Sequence, residues 1–215
     1  MSQKQKLDLM RLKPLNAAQG KVLKSDKNMV IYGAAGTGKS LLAVYKAMRA
    51  IELDEVDKLI IVRSAVPTRE VGFLPGSLDE KVKVYEMPYE EIFTFLYDNN
   101  QAYRLFKNKH KQVEFMTSSY LRGITLEDCH IIVDEFQNMT FHELDSIITR
   151  LGENCKISFC GDAKQSDLKG SGLDKFLHIL RSMPNYFDLV EFEVKHIVRS
   201  GIVKEYLTVK QELYD

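Results

Sequence analysis

A glycine-rich segment that ends in a lysine and a serine is the part of the sequence best suited to chemistry. Residues 33–40 read Gly-Ala-Ala-Gly-Thr-Gly-Lys-Ser and follow the pattern G-x-x-x-x-G-K-[ST]. The glycines let the backbone curl until successive N–H groups face one anion, and a helix that begins here adds favourable potential. We expect Lys39 to reach β- and γ-phosphates and the Ser40 hydroxyl to ligate Mg²⁺. The predicted nucleotide contacts are Gly33, Ala34, Ala35, Gly36, Thr37, Gly38, Lys39, Ser40 and Leu41.

Two adjacent acids follow an apolar run near the middle of the chain. Residues 130–133 read His-Ile-Ile-Val, and Asp134 and Glu135 come directly after them. A strand sends neighbouring side chains to opposite sides, so one acid can hold the magnesium shell while the other faces the attacking water. We predict Asp134 as the metal ligand and Glu135 as the general base. Taken alone, the pattern also fits a strand that ends in a solvated turn.

A third apolar run ends in Gly-Asp-Ala-Lys-Gln at residues 161–165. An amide beside a γ-phosphate can hydrogen-bond either the phosphate or the lytic water. Gln165 is therefore a predicted catalytic sensor of the intact nucleotide. An ordinary strand-to-loop turn is the alternative.

Each of these segments needs a strand before it, and the sequence supplies short β-branched runs that alternate with helical patterns. The predicted strands are 29–32, 59–62, 113–116, 130–133, 156–160 and 187–192, and the clearest helices are 39–53, 78–97, 141–151 and 172–181. Capping boxes are expected for Ser77 with Glu80, Thr140 with Glu143, and Ser171 with Asp174. The alternation predicts an α/β fold, a mostly parallel doubly wound sheet with helices on both faces. Ligands of such sheets bind beyond the carboxyl ends of the strands.

The composition is that of a soluble globular domain. The chain has 215 residues, of which 45% are hydrophobic and 28% charged, and 30 basic residues balance 30 acidic ones. Binding of nucleic acid would therefore need a local basic patch. Three sparse cysteines fit a reducing compartment, and no apolar run approaches the roughly 20 residues of a spanning helix. We expect a cytoplasmic protein with a polar arm at residues 1–14 and one domain at residues 15–215.

Together these motifs resemble the ATPase core of superfamily 1 helicases, and more closely the PhoH family of P-loop ATPases with a single core. The resemblance covers residues 15–210 and rests on further motifs in the same order. These are Ile-Val-Arg-Ser-Ala-Val-Pro at 61–67, Gly-Phe-Leu-Pro-Gly-Ser-Leu at 72–78, Tyr-Leu-Arg-Gly-Ile-Thr-Leu at 120–126, Asp-Glu-Phe-Gln-Asn at 134–138 and Thr-Arg-Leu-Gly at 149–152. Phe136 stands where a small residue is usual. The resemblance implies a RecA-like fold and Mg²⁺-dependent hydrolysis of ATP.

The resemblance also implies a partner subunit. Helicases of this type place ATP between two cores, and the second core supplies arginines that neutralise transition-state charge. A single core would then take its arginine from a neighbour in a homo-oligomer such as a hexameric ring. The predicted donors are Arg122, Arg150 and Arg199. Some members carry an attached ribonuclease domain; the stretch before Leu15 is too short for one, so no nuclease activity is expected.

Adenine recognition is predicted at Gln19. The run Leu-Asn-Ala-Ala-Gln at 15–19 resembles the glutamine motif that precedes the phosphate loop in helicases. An amide can pair with the N6 and N7 edge of adenine, which favours ATP over GTP. The alternative is a surface glutamine behind an asparagine helix cap.

A nucleic-acid contact is predicted at the end of the second strand and in the loop after it, at Arg63, Ser64, Arg69 and Phe73. A basic group beside an aromatic ring suits the backbone and bases of a single strand, RNA or DNA. Lysines 107, 109 and 111 with His110 add a short basic patch, although solvation and packing explain such residues equally well. The aromatic stretch from Tyr85 to Phe106 is interpreted as a packing or subunit-contact face.

Two other functions remain open at this point. A P-loop kinase would need a lid that carries several arginines, and the stretch 77–111 lacks such a cluster. A nucleotide-gated assembly or adaptor protein with slow turnover is the stronger alternative, because a core without arginines of its own would hydrolyse ATP poorly.

Overall fold

Six parallel strands form one sheet in the computed structural model, which describes residues 7–64, 78–121, 123–162 and 172–214. The order across the sheet is β3-β2-β4-β5-β1-β6, and every neighbouring pair is parallel. The strands are β1 Asn28–Gly33, β2 Lys58–Arg63, β3 Val113–Thr117, β4 Cys129–Asp134, β5 Lys156–Gly161 and β6 Phe187–Phe192. The central strand β4 is buried along its whole length, as a strand covered on both faces must be.

Helices cover the two faces of the sheet, and each face has its own apolar core. Helices α1 to α3 pack on one face, and α5 and α6 pack on the other. The helices are α1 Ala17–Lys24, α2 Lys39–Glu52, α3 Leu78–Tyr97, α4 Ala102–Arg104, α5 Phe141–Ile148, α6 Leu173–Arg181 and α7 Gly201–Tyr214. Within the described ranges, no helix combines the length and hydropathy that a membrane-spanning segment needs.

The predicted fold class is confirmed, with corrections at the ends of two helices. Helix α5 begins in the predicted capping box of Thr140 with Glu143 but ends at Ile148, three residues early. Helix α6 begins at Leu173, one residue later than predicted, with Gly172 as its N-cap in the left-handed region, and the predicted cap Ser171 lies outside the described residues. Glycine is required there because a Cβ at residue 172 would lie 2.8 Å from Cβ of Phe141. Ser77, the other predicted cap, lies outside the described residues.

The parallel order brings the carboxyl ends of all strands to one edge of the sheet. The end of β1 is fixed against β6 at this edge, where the Ala34 N–H donates to the Phe192 carbonyl oxygen at 2.7 Å. Gly33 has a φ of +112°, and a Cβ on it would lie 2.1 Å from that same oxygen. The first glycine of the predicted loop is therefore required by the sheet itself.

Replacing Gly33 with alanine should destabilise the protein by about 3 kcal/mol or more, because a positive φ and a backbone clash coincide. Chemical denaturation followed by circular dichroism measures this change. Gly20→Ala is the matched control: its Cβ would meet only Pro14, at 3.8 Å, within α1. That control should be neutral or stabilising by up to about 1 kcal/mol. Equal stability of the two variants would contradict the proposed role of Gly33.

Candidate nucleotide-binding site

The glycine-rich loop joins the last residue of β1 to the first residue of α2 at the carboxyl edge of the sheet. Gly36 and Gly38 have φ values of +74° and +86°, and Gly38 is the N-cap of α2. The Thr37 hydroxyl donates to the Ala34 carbonyl at 2.9 Å and closes the loop. Because the first turn of a helix leaves N–H groups without intrahelical partners, this end of α2 suits an anion.

The loop borders a cavity of about 550 Å³. Most of the predicted site residues that the structure describes line this cavity, although they come from widely separated parts of the sequence. The polar lining includes Lys39, Ser40, Arg63, Tyr89, Glu91, Asp134, Glu135, Asp162 and Arg199.

Lys39 is held against its own loop. Its ammonium group donates to the carbonyl oxygens of Gly33 and Ala34 at 2.7 and 2.8 Å. Burial lowers the pKa of Lys39, while the negative charge of Asp162 opposes that shift. The lysine is thus a partly desolvated donor beside the N-terminus of α2, in the position that a phosphate-binding lysine needs.

Ser40 and Asp134, the two predicted metal ligands, are adjacent in the cavity. The Ser40 hydroxyl donates to Asp134 Oδ1 at 3.1 Å, and the Tyr89 hydroxyl donates to Asp134 Oδ2 at 2.5 Å. Burial first, and then the charge of Asp134, raise the pKa of Tyr89 well above its ordinary value, so the phenol remains a donor. A hydroxyl oxygen beside a carboxylate fits the preference of Mg²⁺ for hard oxygen ligands.

Glu135 is oriented by a neighbour that the sequence analysis did not assign. The Gln137 amide donates to Glu135 Oε2 at 2.6 Å, and its own oxygen accepts from the Asp162 N–H at 3.1 Å. A Cβ on Gly161 would lie 2.1 Å from that amide oxygen, so glycine is required at the end of β5. Gln137 therefore ties the end of β4 to the end of β5.

Asp134 and Glu135 were predicted to have separate roles because a strand sends neighbouring side chains to opposite sides. That reason is wrong. Strand β4 ends at Asp134, and Glu135 has a left-handed φ of +53°, so strand alternation does not apply to this pair. Both acids line the same cavity. The two carboxylates differ in their partners instead, since Asp134 accepts from hydroxyls and Glu135 from an amide.

Two arginines of the same chain line the cavity. The stem of Arg199 packs on the phosphate loop, where a Cβ on Gly36 would lie 3.1 Å from its Cγ. The Val198 N–H also donates to the Gly36 carbonyl at 3.1 Å. Arg63 ends β2 and lies over the ring of Tyr85, 5.5 Å from its centroid. Both side chains thus belong to the lining of the cavity of their own chain, and supply of an arginine in trans stays a prediction.

Arg150 lies at the other end of the fold. Its carbonyl accepts from the Leu126 N–H, just before the first residue of β4, so it is at the amino edge of the sheet. Its Nε atom is buried without a partner. The predicted basic patch is also remote, because Lys107 and its neighbours form a π-helical turn, Leu105–His110, that precedes β3. Neither feature contacts the cavity of its own chain.

Gln19 is buried rather than exposed. Its side-chain oxygen accepts from the Leu15 N–H at 2.9 Å, and its amide donates to the Thr37 carbonyl at 3.2 Å. The side chain thus joins the chain before α1 to the phosphate loop, and the surface alternative is wrong. Recognition of adenine by Gln19 stays a prediction.

Four predicted site residues lie outside the described residues, namely Arg69, Phe73, Arg122 and Gln165. Ser64 follows Arg63 at the carboxyl end of β2.

Tyr89 was assigned to a packing face, and no local pattern distinguishes it from its aromatic neighbours. The sequence did contain a signal for Gln137, because this residue belongs to the motif Asp-Glu-Phe-Gln-Asn at residues 134–138.

Comparisons with known proteins agree on the family. The family model described as PhoH-like protein matches residues 11–211. A PhoH-like protein of Bacillus subtilis is 35% identical over 85% of this chain and 56% of its own length. Protein PhoH of Escherichia coli is 31% identical over 87% of this chain and 54% of its own length. The chain thus spans about half the length of these relatives.

Solved structures share the fold at low sequence identity. The large terminase of a thermophilic bacteriophage, in complex with ADP, covers 94% of this chain with a TM-score of 0.54 and 16% identity, and 50% of the terminase is covered. The Hef helicase domain of Pyrococcus furiosus covers 81% with a TM-score of 0.50 and 15% identity, and 36% of that chain is covered. These similarities confirm the predicted RecA-like fold.

Tyr89→Phe should weaken metal binding while leaving binding of the metal-free nucleotide unchanged. The change removes only the hydroxyl that holds Asp134, and loss of such an outer-shell partner costs about ten-fold in metal affinity. Electron paramagnetic resonance of free Mn²⁺, with a non-hydrolysable ATP analogue present, measures the affinity. Tyr97→Phe makes the same change near the end of α3, outside the cavity lining, and should behave as wild type. Equal Mn²⁺ affinity of Tyr89→Phe and wild type would show that this hydroxyl does not position Asp134.

Proposed function

Since this chain belongs to the PhoH family, we propose that it binds ATP with Mg²⁺ and hydrolyses the bond between the β- and γ-phosphates. The observation that carries the proposal is the meeting of Lys39, the Ser40–Asp134 pair and Glu135 in one cavity at the N-terminus of α2. A phosphate site, a metal site and a base are the parts that phosphoryl transfer to water requires.

Binding uses the loop and the lysine. The N–H groups of the first turn of α2 would face the phosphates, and Lys39 would exchange its bonds to Gly33 and Ala34 for bonds to phosphate oxygens. Ser40 and Asp134 would hold Mg²⁺, which neutralises charge on the β- and γ-phosphate oxygens when bound. Because the Ser40 proton is already directed to Asp134, the lone pairs of the hydroxyl oxygen are available to the metal.

Hydrolysis uses Glu135. A water oxygen forms a bond to the γ-phosphorus, the bond from that phosphorus to the bridging oxygen breaks, and ADP keeps the electron pair. Glu135 accepts a proton from the water. The bond from Gln137 fixes the orientation of the Glu135 carboxylate and leaves its other oxygen for the water.

Arg199 is our candidate for the arginine that neutralises transition-state charge at the site of its own chain. Its stem packs on Gly36, so its guanidinium belongs to the cavity without any contribution from another subunit. Supply of an arginine in trans, in a ring or another homo-oligomer, stays a prediction. The alternative of a slow nucleotide-gated assembly protein loses its main support, since that support was the absence of such an arginine.

Single-stranded RNA or DNA is the partner that we propose for this ATPase. The support is the position of Arg63 and Ser64 at the carboxyl end of β2, directly before the predicted contacts Arg69 and Phe73. Arg63 also lines the nucleotide cavity, so a strand bound beside it would contact the site of hydrolysis directly.

Steady-state hydrolysis of ATP tests the proposed function. Wild-type protein should hydrolyse ATP faster in the presence of single-stranded RNA or DNA, and Lys39→Ala should lower the rate by about 10²-fold or more with or without polymer. Tight binding of ATP with slow turnover that neither polymer changes would contradict this function and favour the assembly protein.

Mixing two inactive variants tests whether Arg199 acts in its own chain. Arg199→Ala should lower kcat by about 10²-fold, because it removes a charge that stabilises the transition state. Under this account, a mixture of Arg199→Ala and Lys39→Ala subunits stays inactive, since each chain lacks one part of its own site. Recovery of hydrolysis in the mixture would show that Arg199 acts in trans.

A further inference from the structure

The C-terminal helix α7 turns an apolar stripe away from the rest of the chain. The stripe consists of Ile202, Tyr206, Val209 and Leu213, and these side chains are 78, 67, 45 and 68% exposed. They follow one another at intervals of four, three and four residues, which places them on one face of the helix. Apolar side chains that are aligned and exposed in this way mark an interaction surface rather than scattered surface residues.

The opposite side of α7 faces its own domain. Lys204, Leu207 and Thr208 lie there and line a cavity of about 800 Å³ between the helix and the end of β6, and Lys210 and Glu212, at the flanks of the helix, also line it. Leu207 is the only apolar side chain in this set. Val203, Leu207 and Thr208 are half-buried, whereas the four residues of the stripe are exposed, so the stripe lies on the side of the helix that its own domain leaves open.

The spacing of the stripe is that of a coiled-coil seam. Ile202 and Val209 take d positions of a heptad repeat, and Tyr206 and Leu213 take a positions. Lys204, Leu207 and Thr208 then fall at the f, b and c positions, which face away from a coiled-coil partner. The back of α7 thus borders the cavity beside the end of β6, and the seam is open to solvent.

The charges beside the seam favour a second α7 in parallel orientation. Glu205 is a g residue and Lys210 is the e residue five positions later, and both are exposed. In a parallel pair, each g residue faces the e residue of the next heptad on the partner, so Glu205 of each helix meets Lys210 of the other. In an antiparallel pair, g faces g, and two glutamates would repel each other.

We propose that two copies of this chain associate through a parallel pair of α7 helices with Ile202, Tyr206, Val209 and Leu213 as the shared seam. The pair has two-fold symmetry, so the same patch is used on both copies. A membrane surface fits less well, because Glu205 and Glu212 flank the stripe, and anionic lipids would repel them. With only four seam positions per helix, the dimer is weak and depends on concentration.

Charge reversal tests the pairing. Sedimentation equilibrium of the full chain over a range of concentrations should show a monomer–dimer equilibrium. Glu205→Lys or Lys210→Glu alone should weaken the dimer by about ten-fold, because each creates two repulsive pairs across the axis. The double variant should restore the wild-type equilibrium, because both pairs return with their signs exchanged. Lys204→Glu, a reversal on the opposite side of the same helix, should change nothing.

Val209→Asp tests the seam itself. It should leave a folded monomer, with an unchanged circular dichroism spectrum, at every concentration, because it buries a charge between the helices. A wild-type chain that is monomeric throughout would overturn the proposal. So would dimers that Val209→Asp dissociates but the charge reversals do not affect, since the stripe would then bind a different surface of the second copy.

Discussion

The close contact between the end of β1 and the end of β6 is the constraint on which the site depends. The Ala34 N–H reaches the Phe192 carbonyl at 2.7 Å only because Gly33 has no side chain. This bond fixes the start of the phosphate loop, whereas the other end is fixed where Gly38 caps the N-terminus of α2. Lys39 and Ser40 then have defined directions, one toward the loop carbonyls and one toward Asp134. A glycine that is usually explained by contact with phosphate is here required by packing of the sheet as well.

A second constraint acts between β4 and β5. Gln137 bonds to Glu135 and to the backbone of Asp162, and Gly161 makes room for it. Together with the bond from Tyr89 to Asp134, this means that each of the two acids has a partner that fixes its orientation. Because these partners come from α3 and from the turn after β4, the cavity is coupled to both faces of the sheet. A movement of α3 would therefore shift the carboxylate of Asp134, which is expected to hold the metal.

The sequence was sufficient for the strands and for the phosphate loop. Each strand is a short apolar run with at least one β-branched residue, and the loop has glycines at positions where three positive φ angles and a close contact occur. The sequence was also sufficient to predict that Asp134 lies at the same edge of the sheet as the phosphate loop, because the carboxyl ends of parallel strands lie at one edge. The sequence alone could not predict contacts between segments that are far apart along the chain. Nothing near Tyr89 in the sequence shows that its hydroxyl reaches Asp134, and nothing near Arg199 shows that it packs on Gly36.

The central claim is that one chain contains the parts needed to hydrolyse ATP, and a single-turnover measurement tests it most directly. Protein in excess over ATP labelled at the γ-phosphate is quenched at successive times, with wild type compared with Glu135→Gln. The account predicts that wild type releases labelled phosphate within one turnover, whereas Glu135→Gln binds the nucleotide and leaves it intact. Cleavage at the same rate in both proteins, or bound but uncleaved ATP in wild type, would contradict the account.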